Sequence, residues 1–342
     1  MNVLIMRSGS ASSDHYRVLE PVRAVGEAGL DVETTVSQGL ATTMRPLTEG
    51  GEPEVVDVDS RGADLVVLQL PKTKAMLQIL RILQSRGVAV AVEVDDLLSA
   101  VAFGSHGHDA LVRKGMAKWT AACAREADFV TASTPKLLAE YAPHGRGAVV
   151  PNAIPRRVAE LPPAYERTPD VVTVGWAGNV LGHPYDLQEM GSGLQTALGR
   201  TQGASRFLVL GRKWDAKERM CMPEEPGEVP WIQDVDGYTA ALGELFDVGV
   251  APLRIDKFNE CKSWLEPLGY AARGVYCVRA RTSEYERIGW ACRPRRPRAG
   301  PSGSRSGSRT ATAAWRAALD NRAHARRTGA PAGAAPDLAA VR

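Results

Sequence analysis

Short apolar runs able to form buried strands alternate with helical stretches through most of this chain, and that alternation restricts its fold more than any other feature. A parallel strand pair needs a crossover long enough to hold a helix, so repeated strand–helix–strand units build a parallel sheet covered on both faces. Residues 3–6 read as a first strand, followed by a Ser- and Gly-rich loop over 8–13 and a helix over 16–28 with Val18, Val22 and Val25 at helical spacing. Gly29 closes that helix, and a strand is expected over 30–34. Further strands are expected over 64–70, 88–94, 128–131 and 149–150. Helices are expected between them over 75–85, 111–126 and 134–141, the last with Pro135 in its first turn.

A stretch rich in Pro (Pro155, Pro162, Pro163, Pro169) and charged residues then suits a connector. Beyond it the alternation resumes, with strands over 171–176, 206–210, 248–251 and 275–278 and helices over 186–198, 236–246 and 262–273, the segment through Gly227 and Trp231 reading as loop. A chain of 342 residues exceeds what one core comfortably holds. The expected fold class is therefore α/β, with two Rossmann-like doubly wound domains facing a cleft. The first spans 1–155, a linker 156–170, the second 171–290, and a basic low-complexity tail 291–342. In such sheets ligands bind where the strands end, at their carboxyl-terminal rim.

Composition narrows the class further. Apolar residues make up 44% and charged residues 24%, the balance of a soluble globular enzyme. No apolar run approaches the roughly 18 residues a membrane helix needs. The opening apolar run stops at Arg7 and reads as a strand, not a signal peptide. The five cysteines are scattered and never in a CxxC spacing, which points away from disulfides or zinc and towards the cytoplasm. The net charge of +3 conceals an asymmetry: residues 291–342 hold 11 Arg against Asp320 and Asp337, while the preceding 290 residues are mildly acidic. Any contact with nucleic acid, a membrane periphery or another acidic surface would fall to that tail.

The chemistry concentrates in the second half. Lys262 and Ser263 open an expected helix after a strand end and a polar loop, a place where backbone N–H groups and the helix dipole favour an anion such as a diphosphate. Arg212 and Lys213, after the 206–210 strand, offer further charge for a phosphate. Asp95 and Asp96 end a buried strand and are candidates for the base that deprotonates an acceptor hydroxyl. Side chains alternate along an extended chain, so one of the two is expected to point inward. The pair also suits a turn cap, and without further acids or His it makes a weak divalent-ion site.

In this region the sequence resembles the GT4-like glycosyltransferases of GT-B fold. The resemblance rests on Val250-Ala251-Pro252-Leu253, Phe258-Asn259, Lys262-Ser263 and the run Tyr270-Ala271-Ala272 with Gly274. It extends, in order, to the 63–69 strand ending in Gln69, to Val94-Asp95-Asp96, to the 130–135 and 150–155 stretches, and to Val174-Gly175-Trp176-Ala177-Gly178-Asn179 followed by His183 and Asp186.

The resemblance implies transfer of a sugar from a nucleotide-diphosphate sugar to an acceptor hydroxyl, with no cofactor required and the acceptor unidentified. It places Gly178, Asn179, Arg212, Lys213, Phe258, Asn259, Lys262 and Ser263 on the donor side, and His183 beside Asp95 and Asp96 among the catalytic candidates. Two features depart from the pattern. Gly269 stands where the family carries a carboxylate for the donor ribose, leaving Glu266, one turn earlier, as the substitute; and residues 291–310 do not resemble the family's closing helix. Those departures raise an alternative: a glycosyltransferase-like protein that binds a ligand or partner without turnover.

Overall fold

The Val- and Ala-rich runs of the first half form a parallel six-stranded sheet. The computed structural model describes residues 1–45, 53–212, 215–220, 222 and 224–288. Two compact units emerge among the described residues, one comprising Met1–Ala153 together with Glu260–Ser263, the other Ile154–Asn259 and 264–288.

In the first unit the chain runs β1 (Asn2–Met6), α1 (Ala11–Asp14), a π-turn His15–Leu19, α2 (Glu20–Glu27), β2 (Glu33–Ser37), β3 (Thr42–Arg45), β4 (Glu54–Val58), β5 (Leu65–Gln69) and α3 (Lys74–Ser85). It continues through β6 (Ala89–Val94), a π-turn Asp109–Arg113, α4 (Ala117–Glu126), β7 (Phe129–Ala132), α5 (Pro135–Tyr141) and β8 (Gly147–Val149). The sheet order is β2-β1-β5-β6-β7-β8, all parallel, and β3 pairs with β4 in a separate antiparallel hairpin. The central strands are buried on both faces, as parallel strands under helices must be. Thr73 and Thr134 cap α3 and α5, each side chain accepting a backbone N–H three residues on.

The second unit holds α6 (Arg156–Ala159), β9 (Val172–Asn179), α7 (Gly193–Arg200), β10 (Ser205–Arg212), α8 (Ala216–Arg219), β11 (Gly227–Val229), α9 (Val235–Leu245), β12 (Val248–Ala251), α10 (Lys257–Glu260, its last residue clustering with the first unit), α11 (Leu265–Ala272), β13 (Tyr276–Arg279) and α12 (Ser283–Arg287). Its parallel sheet has the order β11-β10-β9-β12-β13. Close packing demands glycine at its centre: a Cβ on Gly175 would lie 2.1 Å from the Phe246 ring.

Several expectations need correction. The strand expected over 30–34 is displaced to Glu33–Ser37, because Gly29 turns left-handed and the chain needs three more residues to enter the sheet. Two expected long helices are broken at glycines of positive φ. Gly115 separates Asp109–Arg113 from α4, and Gly191 separates a 3₁₀ segment, Asp186–Met190, from α7. The helix expected from 262 begins at Leu265, so Lys262 and Ser263 lie in the turn between α10 and α11. The β3–β4 hairpin, β11 and α12 had no counterpart in the sequence reading. The segment 156–170 is not a bare connector either. It packs on the second unit, where buried Arg273 donates to the carbonyl oxygens of Val158 (3.1 Å), Leu161 (2.9 Å) and Pro162 (3.0 Å), and Arg167 donates to Phe246 O and Asp247 Oδ1. The tail at 291–342 lies outside the described residues, as do Lys213 and Trp214.

Candidate functional site

In the second sheet, β9 passes to β10 on one side while β12 lies on its other side, so the strand order reverses between β9 and β12. Loops leaving the two strands diverge at such a point and open a crevice at the carboxyl-terminal rim. Asn179 ends β9 and the segment after it carries His183 and Asp186; the segment after β12 carries Arg254 and, in α10, Phe258 and Asn259. Asp186 joins them. Its Oδ2 lies 2.7 Å from His183 Nδ1, and its Oδ1 accepts the backbone N–H of Arg254 (2.9 Å) and Nδ2–H of Asn259 (2.8 Å). The Arg254 guanidinium stands over the Tyr185 ring, 5.0 Å from its centroid. His183 meets buried Trp176 edge-to-face, with ring centroids 5.7 Å apart.

Other residues expected on the donor side take identifiable structural roles as well. Gly178 is register partner to Gly211 at the ends of β9 and β10. A Cβ on Gly178 would lie 2.8 Å from the Trp176 indole, and one on Gly211, whose φ is +131°, would lie 2.1 Å from Gly178 O. Asn179 Oδ1 accepts the Leu181 N–H at 3.2 Å and caps the turn that leads to His183. Arg212 is exposed at the end of β10. Glu266 Oε2 accepts from Tyr285 OH at 3.3 Å. Gly269 is buried in α11, where a Cβ would meet only Leu242 Cδ1, at 3.3 Å.

Lys262 and Ser263 fall in the short segment that clusters with the first unit. Ser263 does not cap α11, whose N-cap residue is Trp264; its Oγ accepts Nδ2–H of Asn152 at 2.8 Å. Cys261 O accepts from Thr134 Oγ1 at 2.9 Å, and Glu260 pairs with Lys136. Lys262 therefore stands near Asp96 at the end of β6. Burial pushes the Asp96 carboxyl up to about 6, Lys262 and Lys72 pull it back, and Asp95 pushes it further up. Asp95 and Asp96 are both half-buried, and Asp95 Oδ1 is shielded without a hydrogen-bond partner. Among the described residues no group of three or more His, Cys, Asp or Glu gathers where a metal ion could be held.

Behind this pair lies a buried polar network that sequence reasoning missed. Arg17 donates to Glu93 Oε1 (2.7 Å), Val150 O (2.5 Å) and Asn152 Oδ1 (3.0 Å). Gln69 Oε1 accepts the Ser8 N–H at 2.8 Å, tying the loop after β1 to the end of β5, where the first sheet reverses its strand order. Leu70, just beyond, has a φ of +44°, a strained value for a β-carbon-bearing residue. The available signal was a charged or amide residue inside each apolar strand run.

The fold is that of GT-B proteins, with two Rossmann-like parallel-sheet units in one chain. Neither a family model nor a curated protein matches the sequence. Among solved structures the chain is similar to a UDP-forming alpha,alpha-trehalose-phosphate synthase from Burkholderia xenovorans, at 12% identity and a TM-score of 0.51, over 97% of this chain and 94% of that one. It is also similar to MnaA from S. aureus in its UDP co-structure, at 8% identity and a TM-score of 0.50, over 98% and 92% of the two chains. Against apo OtsA, at 13% identity and a TM-score of 0.46, it covers 76% of its own length and 65% of that chain. No helix among the described residues is long and apolar enough to cross a membrane.

Proposed function

We propose that this protein is a GT4-like glycosyltransferase that moves a sugar from a nucleotide-diphosphate sugar to an acceptor hydroxyl. The observation that carries this reading is the constellation at the β9–β12 reversal, where Asp186 draws His183, Arg254 and Asn259 together at the rim on which such sheets bind nucleotides. UDP is the nucleotide to test first, since one protein of similar fold is described with UDP bound and another as UDP-forming.

In this reading Asn179, His183, Phe258 and Asn259 line the donor rim, Gly178 and Gly211 keep the strand ends close enough to shape it, and Arg212 is available to a phosphate. Lys262 supplies charge to the departing diphosphate, which is where transfer most needs stabilisation. Ser263, held by Asn152, stays beside it. Glu266 replaces the missing ribose carboxylate. Asp96, whose pKa burial raises towards neutrality with a further push from Asp95, is the base for the acceptor hydroxyl. No metal is assigned a role, and the protein works in the cytoplasm.

Calorimetric titration with UDP, followed by a transfer and hydrolysis assay over a panel of nucleotide sugars, tests the assignment. Binding with turnover supports it, and absence of UDP, GDP and other nucleoside-diphosphate binding refutes it. Binding without turnover would favour the second reading, a silent relative, which Gly269 at the ribose-carboxylate position motivates.

A further inference from the structure

Asp186 is the hub of the second rim. It is 5% exposed, and both carboxylate oxygens are committed: Oδ2 to His183 Nδ1 at 2.7 Å, Oδ1 to the Arg254 N–H at 2.9 Å and to Asn259 Nδ2 at 2.8 Å. Two donors already converge on Oδ1, so that oxygen acts as an acceptor while Oδ2 faces the imidazole. Trp176, 1% exposed and edge-on to the imidazole, hinders rotation of the ring. The loop that reaches Oδ1 is itself braced, since Asp256 Oδ1 accepts the Asn259 N–H at 2.9 Å and Arg254 O accepts from Asn259 Nδ2 at 3.0 Å.

We propose that Asp186 is a positioning residue for the donor rim: it holds neutral His183 as the Nδ1–H tautomer, leaving the lone pair on Nε2, while its other oxygen fixes the 254–259 loop. A carboxylate that sets imidazole tautomer and orientation is a recurrent device wherever one ring nitrogen must do the work. The geometry stands by itself; its consequence for the ligand rests on the proposed nucleotide-sugar function.

The test has two arms. Long-range proton–nitrogen correlation spectra of the labelled full-length protein, with His183 assigned by its loss in His183→Gln, are recorded above the pH at which the imidazole becomes neutral. A last proton retained on Nδ1 is the expected result, and a bare Nδ1 with protonated Nε2 overturns the proposal. In the second arm, Asp186→Asn preserves an acceptor towards Arg254 and Asn259 and replaces only the oxygen facing the imidazole. It is expected to invert the tautomer and weaken UDP binding by about tenfold or more. In a His183→Gln background the same change should add little. Equal losses in both backgrounds would make Asp186 merely structural and overturn the proposal. Should the wild-type protein bind no UDP, the functional reading fails, and the spectra alone still decide the positioning role, as they do if Asp186→Asn fails to fold.

Discussion

Arg17 Nε donates to Glu93 Oε1 at 2.7 Å, joining the turn before α2 to the end of β6 inside the first unit. Both side chains are almost wholly buried. Burial pushes the Glu93 carboxyl from 4.5 up to about 8, Arg17 pulls against it, and Asp95 and Asp96 add to the rise. An acid raised in this way holds its proton in the native state where the unfolded chain has released it. Its contribution to stability is therefore fully present below 4.5 and declines as pH rises towards about 8. Denaturant unfolding over that pH window should show wild-type stability falling relative to Glu93→Gln, by at most about 1.4 kcal/mol per pH unit. Parallel pH profiles would remove Glu93 as the source.

Lys262→Ala should weaken UDP binding by about tenfold or more, the scale of one charge-assisted hydrogen bond, while leaving the thermal melt nearly unchanged. The same change removes the largest downward pull on Asp96. A carboxyl carbon titration should accordingly place Asp96 higher in the variant than in the wild type. Unaltered UDP affinity would detach Lys262 from the donor site.

Gly269→Glu discriminates between an active transferase and a silent relative. Only Leu242 Cδ1 stands within 4 Å of a Cβ at this position, at 3.3 Å, so a small movement of one methyl admits a β-carbon there. Replacing a mid-helix glycine also favours α11 by about 0.5 kcal/mol. If the donor ribose lies above this helix, the new carboxylate should tighten UDP binding about tenfold. Tighter binding measured by calorimetry supports the assignment of the rim, whereas weaker binding with an intact fold argues against a ribose at that place.

Gly211→Ala should destabilise the second unit by about 3 kcal/mol or more, since it combines a backbone conformation disfavoured for L-residues with a hard contact. The added methyl would lie 2.1 Å from Gly178 O, where backbone, not a yielding side chain, stands in the way. Thermal unfolding of the purified variant measures this, and a melt equal to the wild type would contradict the close approach of β9 and β10.

The strand-forming runs were legible because parallel strands buried on both faces must be nearly continuously apolar, and β12 falls on the residues expected, 248–251. Helix interruptions were less legible. A glycine within a helical pattern reads as tolerated until its φ is known, and Gly115 and Gly191 adopt positive values that end the segments they interrupt. The hairpin β3–β4 escaped notice because its strands lie outside the main sheet and β3 is exposed, so no apolar alternation marks it. Within the candidate site, His183 and Asn259 were visible as motif residues, but the bond that makes Asp186 their common partner spans 73 residues between Asp186 and Asn259 and leaves no local trace.

By itself the sequence determined the α/β class, the presence of two strand–helix alternations and the types of residue gathered near the ends of their strands, because hydrophobic period and turn chemistry are local properties of the chain. Tertiary structure alone decided where those residues went. It carried Lys262 and Ser263 to Asp96 and Asn152 of the first unit, buried Glu93 against Arg17, and turned both oxygens of Asp186 to the work of holding one rim together. The reason is physical: a buried charge or polar group must find its partners wherever the fold supplies them, and in a parallel sheet those partners come from crossovers distant in sequence.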